Sequence, residues 1–98
     1  MNTDKKIAKL GFEKIYEDAL CCRYERYNER YKYNQVVVIQ KRAVWNEFRL
    51  MSYDEDLMDK AFTGNICVAL TLEEVSVFHK KMKQKYRDYK LLKFIRRV

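Results

Sequence analysis

Thr71-Leu72-Glu73-Glu74 constrains this chain more than any other four residues. In such a capping box the threonine oxygen accepts from the amide three residues on, and the glutamate reaches back to the amide of the cap, so a helix starts here. Leu72, Val75, Phe78, Met82, Tyr86 and Tyr89 then recur at steps of three, three, four, four and three. At ~100° per residue they share one stripe a third of the circumference wide or less, the face expected to rest on the remainder of the fold.

A second line runs on the flank of that stripe: Lys80, Lys83, Arg87 and Lys90. Like charges at three- and four-residue spacing repel. From His79 onward nine Lys or Arg stand against Asp88 alone, a charge of +8, while the first 78 residues hold 12 basic and 13 acidic groups and carry −1. The net +7 of the 98 residues is therefore local to the C-terminal end, where Lys93, Arg96 and Arg97 extend it. Either it is a solvated face helped by the negative end of the helix dipole, or it is a strip that binds phosphates or carboxylates. Leu91, Leu92, Phe94 and Ile95 fall outside the stripe. A bend after Tyr89, a partner chain, or a frayed end would each accommodate them. The stretch 90–97 is short for a membrane-surface helix.

The chain has the size of one domain, with no proline, two glycines, no low-complexity linker and no duplicated unit. A single α+β domain over 1–98 is expected, with the basic helix and tail at 71–98. No apolar run reaches the ~18 residues of a membrane span, and no signal core follows the first residues, so a cytosolic protein is expected. Three cysteines, an odd number with Cys21 and Cys22 adjacent and Cys67 remote, fit buried small hydrophobes in a reducing compartment.

Before the helix the pattern is that of a sheet. Thr3 or Asp4 would cap a short helix carrying Ile7, Ala8 and Leu10, ended by Gly11, with Phe12 packing back on it. From Ala19 the period is two, with Leu20, Cys22 and Tyr24 on one face and Cys21, Arg23 and Glu25 on the other. Tyr24, Tyr27 and Tyr31 also sit at helical spacing, so a helix over 13–33 competes with a strand and a polar hairpin loop near 28–34. The tyrosine enrichment favours the strand. Tyrosines interleaved with arginines pair across a sheet surface or stack on bases of a single strand, Tyr27, Tyr31 and Tyr33 being the candidates. Val36-Val37-Val38-Ile39 reads as a central strand covered on both faces. A short link over 41–43 leads to an antiparallel partner with Val44, Phe48 and Leu50 inward and Trp45 outward, where an exposed tryptophan serves as a binding anchor unless the N-terminal helix covers it. Asp54, Glu55, Asp56 and Asp59 make an acidic middle that leans on the basic tail. Its spacing lacks the calcium-loop pattern. Residues 66–70 read as a last short strand delivering Thr71 to its cap. The architecture expected is a short N-terminal helix, a three- or four-stranded antiparallel sheet, and a long C-terminal helix across one face.

Neither a phosphate-cradling glycine loop nor a serine elbow occurs. Adjacent Cys21 and Cys22 with Cys67 and His79 lack zinc-ligand spacing. These absences point away from an enzyme, a metal centre or a cofactor.

The string Leu10-Gly11-Phe12-Glu13-Lys14-Ile15, the tyrosine at 24, the strand from Val36 to Ile39, the acidic middle and the closing Leu70-Thr71-Leu72-Glu73-Glu74-Val75 together resemble the small α+β proteins of Gram-positive phages and prophages. The resemblance spans most of 7–86, and the basic extension from Lys80 is longer and more charged than that family's usual ending. It implies a non-enzymatic accessory factor in the host bacterial cytosol that binds a host protein or ribonucleoprotein; some such proteins inhibit defence systems, CRISPR effectors included. The residues expected at the interface are Lys80, Lys83, Arg87, Lys90, Lys93, Arg96 and Arg97, with Tyr27, Tyr31 and Trp45. Direct nucleic-acid binding by the same cations, and a homodimer shielding the apolar tail residues, are the alternatives; a membrane partner is not expected.

Overall fold

A computed structural model of the chain describes residues 2–29, 33–42, 47–56 and 70–96, with backbone alone at 28, 33, 56 and 93–96. A short helix α1 (Thr3–Lys9) precedes four strands, β1 (Glu13–Glu17), β2 (Cys21–Asn28), β3 (Tyr33–Lys41) and β4 (Phe48–Asp56), and a long helix α2 (Leu72–Arg96). The strands form one antiparallel meander in the order β1-β2-β3-β4. Helix α2 packs on β4 and on α1 across one face of the sheet. The fold is thus the α+β arrangement expected from the sequence, with β2 a strand rather than part of a helix over 13–33.

Local chemistry explains most of these elements. The cap of α1 is Asn2, whose side chain accepts from the Lys5 amide at 2.8 Å. Thr3 and Asp4, expected in that role, instead lie inside the helix and turn toward α2. The helix closes with the Gly11 amide on the Ala8 carbonyl (3.0 Å) and the Phe12 amide on the Ile7 carbonyl (3.4 Å), the two bonds of a Schellman motif. Ile7 and Phe12 are both buried in the core. Gly11 sits at φ +94°, and a Cβ there would lie 3.3 Å from the Arg26 side chain. Gly11→Ala is therefore expected to lower stability by about 1–2 kcal/mol, read as a lower urea midpoint at unchanged slope.

Strand β3 is central, and residues 34–39 are buried throughout. Val37 and Ile39 face α2 with Cys22, Tyr24 and Phe48, while Phe78 is fully buried among them. Its ring meets Phe12 edge-on at 5.0 Å and Tyr24 at 5.5 Å. Phe48 and Leu50 join this face as expected; Val44 lies outside the described residues, as does the strand expected at 66–70 with its Cys67, apart from Leu70, which is not in a strand. Leu20, placed on the inner face by alternation, is exposed, because it belongs to the β1–β2 turn. Strand β1 was not legible as a strand. All five of its residues are exposed at the sheet edge, and a bulge between Lys14 and Tyr16 breaks the alternation. Charges and a bulge on an edge strand discourage pairing with other chains.

The capping box forms as the sequence implies: the Glu74 amide donates to Thr71 Oγ1 at 3.1 Å and the Thr71 amide to Glu74 Oε1 at 2.8 Å. The buried face of α2, however, is not the expected stripe. Leu72 is 90% exposed and Val75 41%, whereas Glu74, Phe78, Lys81 and Lys85 are buried, with Met82, Tyr86 and Tyr89 packed beside them. At ~100° per residue the helix is rotated by about 60° from the apolar stripe. Polar partners under the helix cause the turn: Arg26 Nη1 holds Glu74 at 2.6 Å, and acids of α1 and β1 hold the two lysines.

Candidate functional site

The rotation sorts the described lysines of α2 into two sets. Lys81 and Lys85 point inward. Lys81 Nζ lies 3.1 Å from Asp4 and 2.9 Å from Glu17, and Lys85 Nζ lies 3.2 Å from Glu17 while donating to the Asp18 carbonyl at 2.6 Å. Lys14 completes the cluster, 3.0 Å from Asp4 and 2.9 Å from Glu17. The Tyr24 hydroxyl donates to Asp4 at 2.7 Å, and Gln84 donates to Thr3 Oγ1 at 2.8 Å. The cluster therefore pins α2 to α1 and β1 by charge, beside the apolar contact of Phe78 with Phe12. It is structural, and it removes two lysines from the charge that the sequence assigns to the tail.

Its electrostatics follow from burial opposed by counter-charges. Desolvation would raise the Asp4 carboxyl, but the Tyr24 hydroxyl and the Lys14 and Lys81 ammoniums outweigh it and bring the pKa down to about 2. Glu17 is lowered in the same way, its burial outweighed by Lys81 and Lys14, and Lys81 is raised because Glu17 and Asp4 outweigh its desolvation. A carboxylate with a folded pKa below its ordinary 3.8 adds stability that is complete above pH ~4 and is lost as the pH falls through about 2. With Asp4 about a third exposed, this contribution is discounted to about 1 kcal/mol. Urea unfolding at decreasing pH should show the loss, and Asp4→Asn should flatten that part of the profile.

Lys80, Lys83, Arg87 and Lys90 point outward, opposite the buried face rather than on its flank, and all four are exposed. Among the described residues no carboxylate lies within ion-pair distance of Lys80, Lys83 or Arg87. Lys90 Nζ rests 4.4 Å above the Tyr86 ring, a contact that keeps its charge. Over ten residues at ~1.5 Å rise the four cations cover about 15 Å of helix. Of the acidic middle, Asp54 and Glu55 do not pair with them, and Asp59 and the Asp56 side chain lie outside the described residues. Glu55 pairs with Arg23 at 2.9 Å, and Asp54, its carboxyl pushed up by burial alone, has one oxygen without a partner. Asp4 and Glu17, acids from the other end of the chain, serve the inner lysines instead.

Other expected interface residues are dispersed. Tyr24 is core. Tyr27 is exposed, but strand alternation puts it with Arg23 and Glu25 on the sheet face away from α2, so it does not share a surface with the cationic line. Lys93 and Arg96 belong to α2, whose backbone runs unbroken past Tyr89 without the bend allowed for from the sequence. Tyr31, Trp45 and Arg97, with the side chain of Tyr33, lie outside the described residues. Leu91 and Leu92 are 60% and 45% exposed. Beside Leu92 a cleft of about 280 Å³ opens between α2 and the β1–β2 turn, walled by Ala19, Lys85, Asp88 and Tyr89.

Among the described residues no group of three metal-ligating side chains assembles. Cys22 is buried, and desolvation raises its thiol to about 11, which leaves it protonated and unreactive. No described helix is long and apolar enough to cross a membrane. No protein-family model matches the chain, and neither curated proteins nor solved structures return a match.

Proposed function

We propose that this chain is a non-enzymatic binding protein of the phage accessory type, which occupies a surface on a host protein or ribonucleoprotein with the outer face of α2. Blocking a bacterial defence complex, a CRISPR effector being one such target, is the activity that occupancy of this kind would produce in the host cytosol. One observation carries the reading: Lys80, Lys83, Arg87 and Lys90 form an exposed cationic line on a long helix, while Lys81 and Lys85 of that helix are consumed internally. Four like charges at these spacings cost helix stability, and an acidic partner surface recovers that cost. The test is capture from host lysate by the tagged full chain and by a variant with all four cations changed to Glu. The wild type should retain a specific complex that the variant loses; equal recovery by both removes the reading.

A second reading, direct nucleic-acid binding, draws on the same line, since phosphates answer it as well as carboxylates do. Tyr27 takes no part in it from the opposite sheet face. Its mark is a log-log salt slope of roughly 0.7–0.9 per phosphate neutralised, and a gel shift that shows no complex at low salt excludes it.

A further inference from the structure

We infer that the outer edge of β4 is an interface between two copies of this chain, which pair β4 to β4 antiparallel about a twofold axis at Ser52. The inference stands apart from the binding role proposed above and rests on the sheet rather than on α2.

Backbone amides alternate sides along a strand, and two bonds at the end of β3 fix which side is which. The Lys41 amide donates to the Leu20 carbonyl, on the β2 side, at 2.9 Å, and the Arg42 amide donates to the Glu47 carbonyl, on the β4 side, at 3.0 Å. The even-numbered residues of β3 therefore bond to β4, where the register places Arg49, Met51, Tyr53 and Glu55 opposite them. It follows that the amides and carbonyls of Phe48, Leu50, Ser52, Asp54 and Asp56 point away from β3. Among the described residues no strand meets them, since the sheet ends at β4. The two edges of the sheet are unlike. Strand β1 is five residues long, charged and bulged, whereas β4 runs for nine residues in unbroken register and holds no lysine, proline or glycine. A long regular edge without such devices is a template for another strand.

The side chains of β4 say which strand. Laying all nine residues of one β4 against all nine of a second copy puts Ser52 opposite Ser52, and the outward backbone groups of the two strands then meet one another as hydrogen-bonded pairs. On the face away from α2, the same register sets Arg49 opposite Glu55 of the second copy and Met51 opposite Tyr53, each pair occurring twice by symmetry. These are the closer, non-hydrogen-bonded pairs, with ~4.5 Å between Cα atoms. Opposite charges across a sheet stabilise it, and a thioether against a tyrosine ring is favourable. Arg49 is exposed, and among the described residues no carboxylate lies within ion-pair distance of it. Sliding by two residues sets Arg49 opposite Tyr53 or past the end of the strand, so the full-length register is the one that matches. A strand from another protein would use the same backbone groups, but β4 itself brings the matching acid and tyrosine. The product is a continuous sheet of eight strands, four from each copy, with both α2 helices on one side.

Sedimentation equilibrium of the full chain, at up to about 500 µM in about 0.15 M salt, tests this. A single strand junction belongs to the small, weak class of interfaces, so a dimer with Kd of roughly 10–100 µM is expected. Arg49→Glu, which turns both ion pairs into repulsions, should weaken it roughly tenfold or more at unchanged Tm. Ser52→Pro removes only an amide that faces away from β3, and it should fold and weaken the dimer as much. Should the proline variant unfold, Arg49→Glu decides alone. A chain that stays monomeric throughout, or a dimer unaffected by Arg49→Glu, overturns the inference. So does a dimer that Leu91→Asp with Leu92→Asp abolishes and Arg49→Glu leaves intact, which would place the contact on α2.

Discussion

Glu17→Gln is expected to destabilise the protein by about 2–3 kcal/mol, the largest stability effect of any single polar substitution proposed for it. Glu17 accepts from Lys14 at 2.9 Å, from Lys81 at 3.2 Å and from Lys85 at 3.2 Å, and the last two side chains are only 10% and 6% exposed. Glutamine keeps the shape and removes the charge, leaving Lys85 with the Asp18 carbonyl and Lys81 with Asp4 alone. Breaking a buried ion pair from one side costs roughly 3–5 kcal/mol; the lower figure allows for the partial exposure of Glu17 itself. In a domain of this size the loss is a fall in Tm of roughly 10–20 °C. Lys85→Met in the Glu17→Gln background should recover part of it, since an apolar replacement removes the stranded cation. A cycle in which the two losses simply add would mean that the pair is not coupled.

Reversing the outer line has the opposite profile. Lys80→Glu, Lys83→Glu, Arg87→Glu and Lys90→Glu together should weaken the partner complex by roughly a hundredfold, about 3 kcal/mol, because each attraction to an acidic surface becomes a repulsion. Folding should change little. The four side chains are exposed, the Tyr86 contact of Lys90 is the only described interaction among them, and surface substitutions away from such features stay within about 0.5 kcal/mol each. The effect on binding should shrink as salt rises, since exposed charges are screened.

Helix α2 shows where reading from sequence succeeds and where it stops. Its start was legible because the Thr71–Glu74 reciprocity is local, and the central position of β3 was legible because four β-branched residues in succession suit a strand covered on both faces. The orientation of α2 was not. The apolar stripe through Leu72 and Val75 marked a plausible seat, but the helix is turned by ion pairs whose acids, Asp4 and Glu17, stand 77 and 64 residues from Lys81. Nothing in the spacing of Lys81 and Lys85 separates them from Lys80 and Lys83, since a lysine can bury its stem wherever a carboxylate waits for its head. The cationic line itself was readable as a row on one side of the helix, and finding it opposite the core, rather than on its flank, follows from the same rotation. Strand β1 left no periodic trace because it places no side chain in the apolar core and bulges at Ile15.

Two matched variants compare the two lysine sets directly. In one, Lys80, Lys83, Arg87 and Lys90 become Gln; in the other, Lys81 and Lys85 become Gln; Tm and partner capture are measured on both. If α2 is held inward by its buried lysines and presents the outer ones, the first variant keeps its Tm and loses capture, and the second loses roughly 10 °C or more. A first variant that melts early while still capturing its partner, beside a second that melts normally, would contradict that division of the helix.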